Sequence, residues 1–140
     1  MSEFTLPVRV YYEDTDAGGV VYYANYLRFM ERGRTEFMRA LGYDLRVLAR
    51  DPGILFVVAN VDIDYRRPAH HDDQLVVSVV VAERGRAGLT FAQQVRRGAE
   101  LLAEAKVRVA CVDAQSFRPR ALPDELALRL TVQLERGVNS

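Results

Sequence analysis

Tyr23-Ala-Asn-Tyr-Leu-Arg-Phe-Met-Glu-Arg-Gly-Arg-Thr-Glu-Phe-Met-Arg-Ala-Leu-Gly42 is the stretch on which the fold turns. Tyr26, Phe29, Met30, Gly33, Phe37, Ala40 and Leu41 fall on one stripe at helical spacing, while Arg28, Glu31, Arg32, Thr35 and Arg39 fall elsewhere. Gly42 follows the last periodic residue, where a helix-ending glycine belongs. The spacing predicts an amphipathic helix from about Tyr23 to Leu41, the longest in the chain. Gly33 inside the apolar stripe costs up to ~1 kcal/mol relative to alanine. A helix pressed closely against a sheet would account for it.

The sequence on either side changes to period two. Leu6, Val8, Val10 and Tyr12 alternate with Thr5, Pro7, Arg9 and Tyr11, which predicts a first strand from Phe4 to Tyr12. Pro7 confines the start of that strand to an edge or an irregular entry. After the helix, Val57, Ala59, Val61, Ile63 and Tyr65 alternate with Val58, Asn60, Asp62, Asp64 and Arg66, a half-buried strand. Pro68 to Asp73 reads as a turn. Leu75 to Ala82 is nearly continuous apolar, which suits a strand covered by a helix on one face and by something else on the other. Leu89 to Arg96 forms the next strand. In the last one Ala103, Ala105, Val107, Val109 and Cys111 alternate with Glu104, Lys106 and Arg108. Leu126, Leu130 and Leu134 at i, i+4, i+8 predict a short tail helix beginning near Asp124.

The expected architecture is α+β: one domain, 1–140, with a five-stranded antiparallel sheet curling around one long central helix. The four strands after that helix follow in hairpin-like succession. Apolar residues on the far face of the sheet predict a dimer or a dimer of dimers that buries them.

Composition narrows the function classes. The chain has 140 residues, 49% hydrophobic and 27% charged, a globular balance. Nineteen basic residues cancel nineteen acidic ones, so no global field attracts nucleic acid or an anionic membrane, and any anion site must be local. The single cysteine, Cys111, permits no intrachain disulfide and reads as inert core. Met1-Ser-Glu-Phe-Thr5 lacks the basic start and apolar run of a signal peptide, and no apolar stretch approaches a bilayer span. A soluble, cytoplasmic protein is expected.

Chemistry concentrates just before the helix, in Tyr11-Tyr-Glu-Asp-Thr-Asp-Ala-Gly-Gly-Val-Val-Tyr-Tyr-Ala-Asn-Tyr26. Glu13, Asp14 and Asp16 sit in a short loop, followed by Gly18, Gly19 and Val20 and then by the helix start. A helix N-terminus offers unpaired amides and a partial positive charge to a developing oxyanion. Glycines let another group approach the backbone. A carboxylate beside such a site can attack a polarised carbonyl or activate a water that does.

The plainer role for Asp14 and Asp16 is to cap a turn or the helix start. A calcium loop would need an oxygen ligand at its fifth position and glutamate at its twelfth, where Gly18 and Asn25 stand. His70 and His71 adjoin Asp72 and Asp73, and neighbours in an extended chain point to opposite sides, a poor chelate and a solvated turn.

The same stretch resembles the active-site loop of hot-dog thioesterases of the 4-hydroxybenzoyl-CoA thioesterase type. It looks most like the acyl-CoA thioesterases associated with the Tol-Pal cell-envelope system. The similarity is densest from Val8 to Tyr43, through the acidic loop, Ala17-Gly-Gly19, Val20-Val-Tyr22, Asn25-Tyr26 and Glu31-Arg-Gly-Arg-Thr-Glu36. It continues through Asp62-Ile-Asp-Tyr-Arg-Arg-Pro-Ala69 and Asp72-Asp73 to about residue 120.

The resemblance implies hydrolysis of an acyl-CoA, short-chain or aromatic, to a free acid and CoA, with no metal or redox cofactor. It implies Asp16 as the catalytic carboxylate, as nucleophile or general base. The backbone N–H of Tyr23, in the first helical turn, would point at the thioester carbonyl. Some relatives carry histidine where Tyr23 stands, so a side-chain acid–base role does not transfer with the backbone one. Tyr12 matches a tyrosine that some relatives use near the carboxylate.

Gly18, Gly19 and Val20 would line the substrate. CoA carries several phosphates, for which Arg84, Arg86, Arg118 and Arg120 are the candidate partners. Two other readings stay open. One is a non-catalytic acyl-CoA or partner-binding module linked to envelope or phospholipid assembly. The other is a dehydratase of the same fold, against which the placement of the histidines counts.

Overall fold

In the computed structural model, which describes residues 3–139, the helical stripe becomes α1, Asn25–Ala40. Met1 and Ser2, which open the N-terminal stretch read above, lie outside the described residues. Tyr26, Phe29, Met30, Gly33 and Phe37 are buried as their spacing requires. Ala40 is exposed, and Met38 is buried in its stead. The helix ends there: Gly42 takes φ +99° and the Tyr43 N–H donates back to the Met38 carbonyl at 2.9 Å, which turns the last residues off the stripe.

Five strands form one antiparallel sheet: β1 Phe4–Arg9, β2 Ile54–Tyr65, β3 Gln74–Arg84, β4 Gly88–Arg97 and β5 Glu100–Asp113. A helix that the sequence reading did not find, α2 Leu45–Arg50, follows α1 and is capped by the Asp44 carboxylate. The terminal helix α3, Asp124–Asn139, begins where Asp124 predicts. It is as long as α1 at 16 residues, so α1 is not the longest helix and α3 is not short. Leu126 and Leu130 of α3 are fully buried, and Arg129 Nη1 donates to the Leu41 carbonyl at 2.6 Å, locking α3 beside the end of α1.

The spatial order is β1-β3-β4-β5-β2. Only β3, β4 and β5 follow in hairpin succession. β1 already occupies the free edge of β3, so β2 joins the opposite edge, beside β5. The connection from β2 to β3 therefore crosses the end of the sheet. On the way Arg66 N–H and Arg67 N–H bond the Leu102 carbonyl, and Arg97 Nη1 bonds the Pro68 carbonyl. Pro7 stands in β1, an edge strand, as a residue without an N–H must.

Two strand expectations need correction. β1 stops at Arg9, and Tyr12 does not continue its inward face. The Asp14 carboxylate accepts from Tyr11 N–H, and Thr15 donates through both N–H and hydroxyl to the Tyr12 carbonyl, folding Tyr12–Asp14 into a 3-10 turn. β2 carries a bulge between Val58 and Asn60. Phe56, Val58, Val61, Ile63 and Tyr65 lie opposite Cys111, Val109, Val107, Ala105 and Ala103, so they share the inner face, whereas strict alternation would have placed Val57 there. Most of β2 is exposed in the single chain because it is an edge.

The sheet wraps α1, which is the hot-dog arrangement. Close approach explains Gly33: a Cβ there would stand 3.1 Å from both Val77 Cγ1 and Val79 Cγ2. Gln93, buried in β4, donates to the Met30 carbonyl at 3.0 Å and accepts from Arg34 Nη1 at 3.0 Å, so its amide stitches helix to sheet with no polar atom left over. The outer face of β3 is less covered: Val76 and Val80 are half-buried, while Leu75, Val77 and Val79 beneath α1 have no exposure.

Candidate active site

The acidic loop folds as a small hairpin. Asp16 N–H donates to the Val20 carbonyl at 2.8 Å, Thr15 pairs with Val21, and Tyr22 N–H donates to the Asp14 carbonyl at 3.0 Å. Asp14 is structural: its carboxylate closes the 3-10 turn, and its carbonyl also accepts from Asn25 Nδ2 at 2.8 Å. Asn25, buried at the first position of α1, thus fastens the loop to the helix, a duty its sequence signature had not revealed.

The far side of the hairpin is docked as well. Val20 bridges His70, Val21 N–H donates to the Ala69 carbonyl at 2.8 Å, and Ala69 N–H donates to the Tyr26 hydroxyl at 3.0 Å. Residues 68–73 are therefore more than a solvated turn. Ala69 is fully buried, although the His70 and His71 side chains remain about half exposed. Asp73 Oδ2 braces this strip, accepting from His70 N–H at 2.8 Å and Arg97 Nη1 at 2.6 Å.

Asp16 stands at the exposed tip of the hairpin, and its Oδ1 accepts from Gly18 N–H at 2.8 Å. The Gly18 amide is accordingly taken by the carboxylate rather than free for a substrate. Gly19 takes φ +82°, the left-handed turn that glycine tolerates, with open space where a Cβ would sit. Val20 spends its carbonyl on the hairpin and pairs with His70.

Tyr23 lies in the turn before α1, two residues ahead of Asn25, not inside the first turn. Among the described residues, neither its N–H nor that of Ala24 makes a hydrogen bond. Both are the orphan donors of a helix start. Tyr23 follows Val20, whose carbonyl accepts from Asp16 N–H, by three positions, so the hairpin that carries the carboxylate leads directly into these amides.

The Tyr23 side chain is 61% exposed and belongs to an aromatic cluster with Tyr22, Tyr26 and Tyr65. Beside it a shallow cavity of about 280 Å³ is lined by Val21, Tyr23, Tyr26, Tyr65, Arg66 and Pro68. Burial, then the phenols of Tyr23 and Tyr26, push the Tyr65 hydroxyl above its ordinary range, so it stays a proton donor. Tyr12 is 79% exposed and meets the His71 ring edge-on at 5.8 Å.

The four arginines lie elsewhere. β3 runs eleven residues from Gln74, beside the docked strip, to Arg84, a span of roughly 35 Å. Arg84 Nε donates to Thr131 Oγ1 at 3.0 Å, while the Arg86 carbonyl accepts from Leu122 N–H. Arg120 Nη1 is engaged by the carbonyls of Pro52 and Gly53 and by Asp113 Oδ1. Arg118 is exposed in the same region. Within one chain these groups gather at the end of the sheet opposite Asp16.

An antiparallel sheet wrapped around one helix, with an acid-bearing hairpin at the helix start, is the layout of hot-dog thioesterases. A family profile described as the thioesterase-like superfamily matches residues 10–130, and the chain belongs to that superfamily. It is 47% identical over 123 residues to the acyl-CoA thioesterase YbgC of Haemophilus influenzae, covering 88% of this chain and 90% of that one. It is 43% identical over 124 residues to the acyl-CoA thioester hydrolase YbgC of Escherichia coli O157:H7, covering 88% and 92%. A probable thioesterase from Bartonella henselae superposes with a TM-score of 0.83 at 37% identity, over 86% of this chain and 99% of its own.

Proposed function

We propose that this protein hydrolyses acyl-CoA thioesters, with Asp16 as the reacting carboxylate and the free amides at the start of α1 as the oxyanion site. The observation that carries the reading is an exposed carboxylate on the hairpin that leads directly into two unbonded N–H groups at the start of α1, in a chain of the thioesterase-like superfamily.

Two routes balance. As a general base, Asp16 takes a proton from water while the water oxygen bonds the carbonyl carbon. The oxyanion then faces the amides, the C–S bond breaks, and the thiolate leaves with the proton that Asp16 returns. As a nucleophile, an Asp16 oxygen bonds the carbonyl carbon, CoA leaves, and water opens the resulting anhydride. Single turnover in isotopic water separates them, since label enters Asp16 only along the second route.

The partner is a second copy of the chain. The exposed edge of β2 offers unpaired backbone groups and half-exposed Val58 and Val61. Two-fold pairing of β2 with itself is antiparallel. It brings the end of one copy that carries Arg84, Arg86, Arg118 and Arg120 beside the Asp16 end of the other, where the CoA phosphates would meet them. Tyr12, Gly18, Gly19 and Val20 then border the crevice. Further assembly to a dimer of dimers, a cytoplasmic location, and a link to Tol-Pal or phospholipid-assembly proteins belong to the same reading. No helix among the described residues is long and apolar enough to cross a membrane.

The test is Asp16→Asn with a panel of short, long and aromatic acyl-CoAs and a thiol-release assay. General acid–base contributions of ~10²- to 10⁴-fold set the expected loss of turnover. Unchanged hydrolysis by the variant would sink the site assignment. A wild type that binds CoA esters without turning them over would instead favour a binding module.

A further inference from the structure

Tyr65, an inward residue of β2 by its periodicity, makes a contact 42 positions away. Its hydroxyl donates to the Tyr23 carbonyl at 3.1 Å. Its ring meets those of Tyr23 and Tyr26 edge-on, with centroids 6.1 and 5.4 Å apart. The same carbonyl accepts a longer bond, 3.4 Å, from Tyr26 N–H as the helix begins. That carbonyl belongs to the Tyr23–Ala24 peptide, whose other end is the unbonded Ala24 N–H.

A peptide unit is planar, so a donor fixed on its oxygen also fixes the direction of its N–H. A hydrogen bond at the oxygen further polarises the amide, strengthening the N–H as a donor by roughly 10–30%. Tyr65 comes from the end of β2, on a different element from the hairpin and the helix, and therefore holds this peptide against the sheet independently of them.

We propose that Tyr65 is a positioning residue for the hydrolysis inferred above: its hydroxyl orients and polarises the Tyr23–Ala24 peptide, making the Ala24 N–H a second oxyanion donor beside that of Tyr23. The inference rests on the thioesterase reading and claims no new site. It assigns to a side chain on β2 the alignment of a group that develops its full value only when the carbonyl oxygen carries charge. Loss of an interaction made in the transition state alone lowers kcat without raising KM.

The test compares wild type with Tyr65→Phe, which keeps the ring and its edge-on packing and deletes only the hydroxyl, on the best acyl-CoA of the panel. A fall in kcat of roughly tenfold to a hundredfold, with KM within twofold and the melting temperature within a few degrees, is the expected result; loss of one full oxyanion donor would give ~10²- to 10³-fold. The Ala24 amide resonance should also shift in the variant's NMR spectrum. A kcat within twofold of wild type overturns the inference while leaving the thioesterase reading intact. A variant in which kcat, KM and melting temperature all change together assigns Tyr65 a merely structural role, which overturns it as well. A wild type without hydrolysis overturns both, and that outcome is recognised before any variant is made.

Discussion

Asp73 gathers the His70 N–H and the Arg97 guanidinium on one oxygen, beneath the strip that holds the acidic hairpin. Burial works to raise its carboxyl, but those two donors outweigh it and hold the group below the usual carboxylate range. A folded value below the unfolded one means the ionised form stabilises the native state. That contribution is fully present above about pH 4, the ordinary aspartate range, and disappears as pH falls through the folded value. Asp73→Asn should therefore cost ~1–3 kcal/mol at pH 7, with the gap to wild type closing at acid pH in a series of melting curves. An equal gap at pH 3 would contradict the argument. Asp14 could be read as structural from its sequence, because its turn is local. The roles of Asp73, Asn25 and Tyr65 could not, since their partners lie on other elements: Arg97, the Asp14 carbonyl and the Tyr23 carbonyl.

At the scale of elements, α1 and β3 meet across Gly33. Alanine would gain up to ~1 kcal/mol of helix propensity there. Its methyl would press on Val77 and Val79, both fully buried and both stiff at χ1. Overpacking of this kind costs ~1–3 kcal/mol, so Gly33→Ala should destabilise on balance, and Val79→Ala should absorb part of the penalty. Denaturant titration of the two single variants and the double measures this, and additive losses would refute it. Gly33 was legible because a glycine inside an apolar stripe has few explanations. The α1 stripe and the β3–β4–β5 meander were legible too, since their periodicity is local. The bulge in β2 was not: one inserted residue leaves both neighbouring runs apolar and shows only in the register against β5. α2 is six residues long, too short for periodicity to announce it.

For the whole molecule, the order of strands decides what the surface can do, and composition does not reveal that order. Hairpins are the default for consecutive strands and would set β2 next to β3, whereas β2 forms the outer edge beside β5. If copies associate through this edge, a charge in the middle of it should prevent them. Val61→Lys alters a side chain already 37% exposed, so folding should survive while the dimer dissociates and hydrolysis falls. Light scattering and the thiol-release assay measure the two effects, and an intact dimer in the variant would rule β2 out as the interface. The opposite border of the sheet is not equivalent. Pro7 stands in β1 and cannot donate, so a further strand docking there would meet a gap in the ladder. If copies do join through β2, each spends its receptive rim on the other, while the imino acid at the far border disfavours a further strand, so the expected product is a closed pair of ten strands and not a ribbon that lengthens without limit.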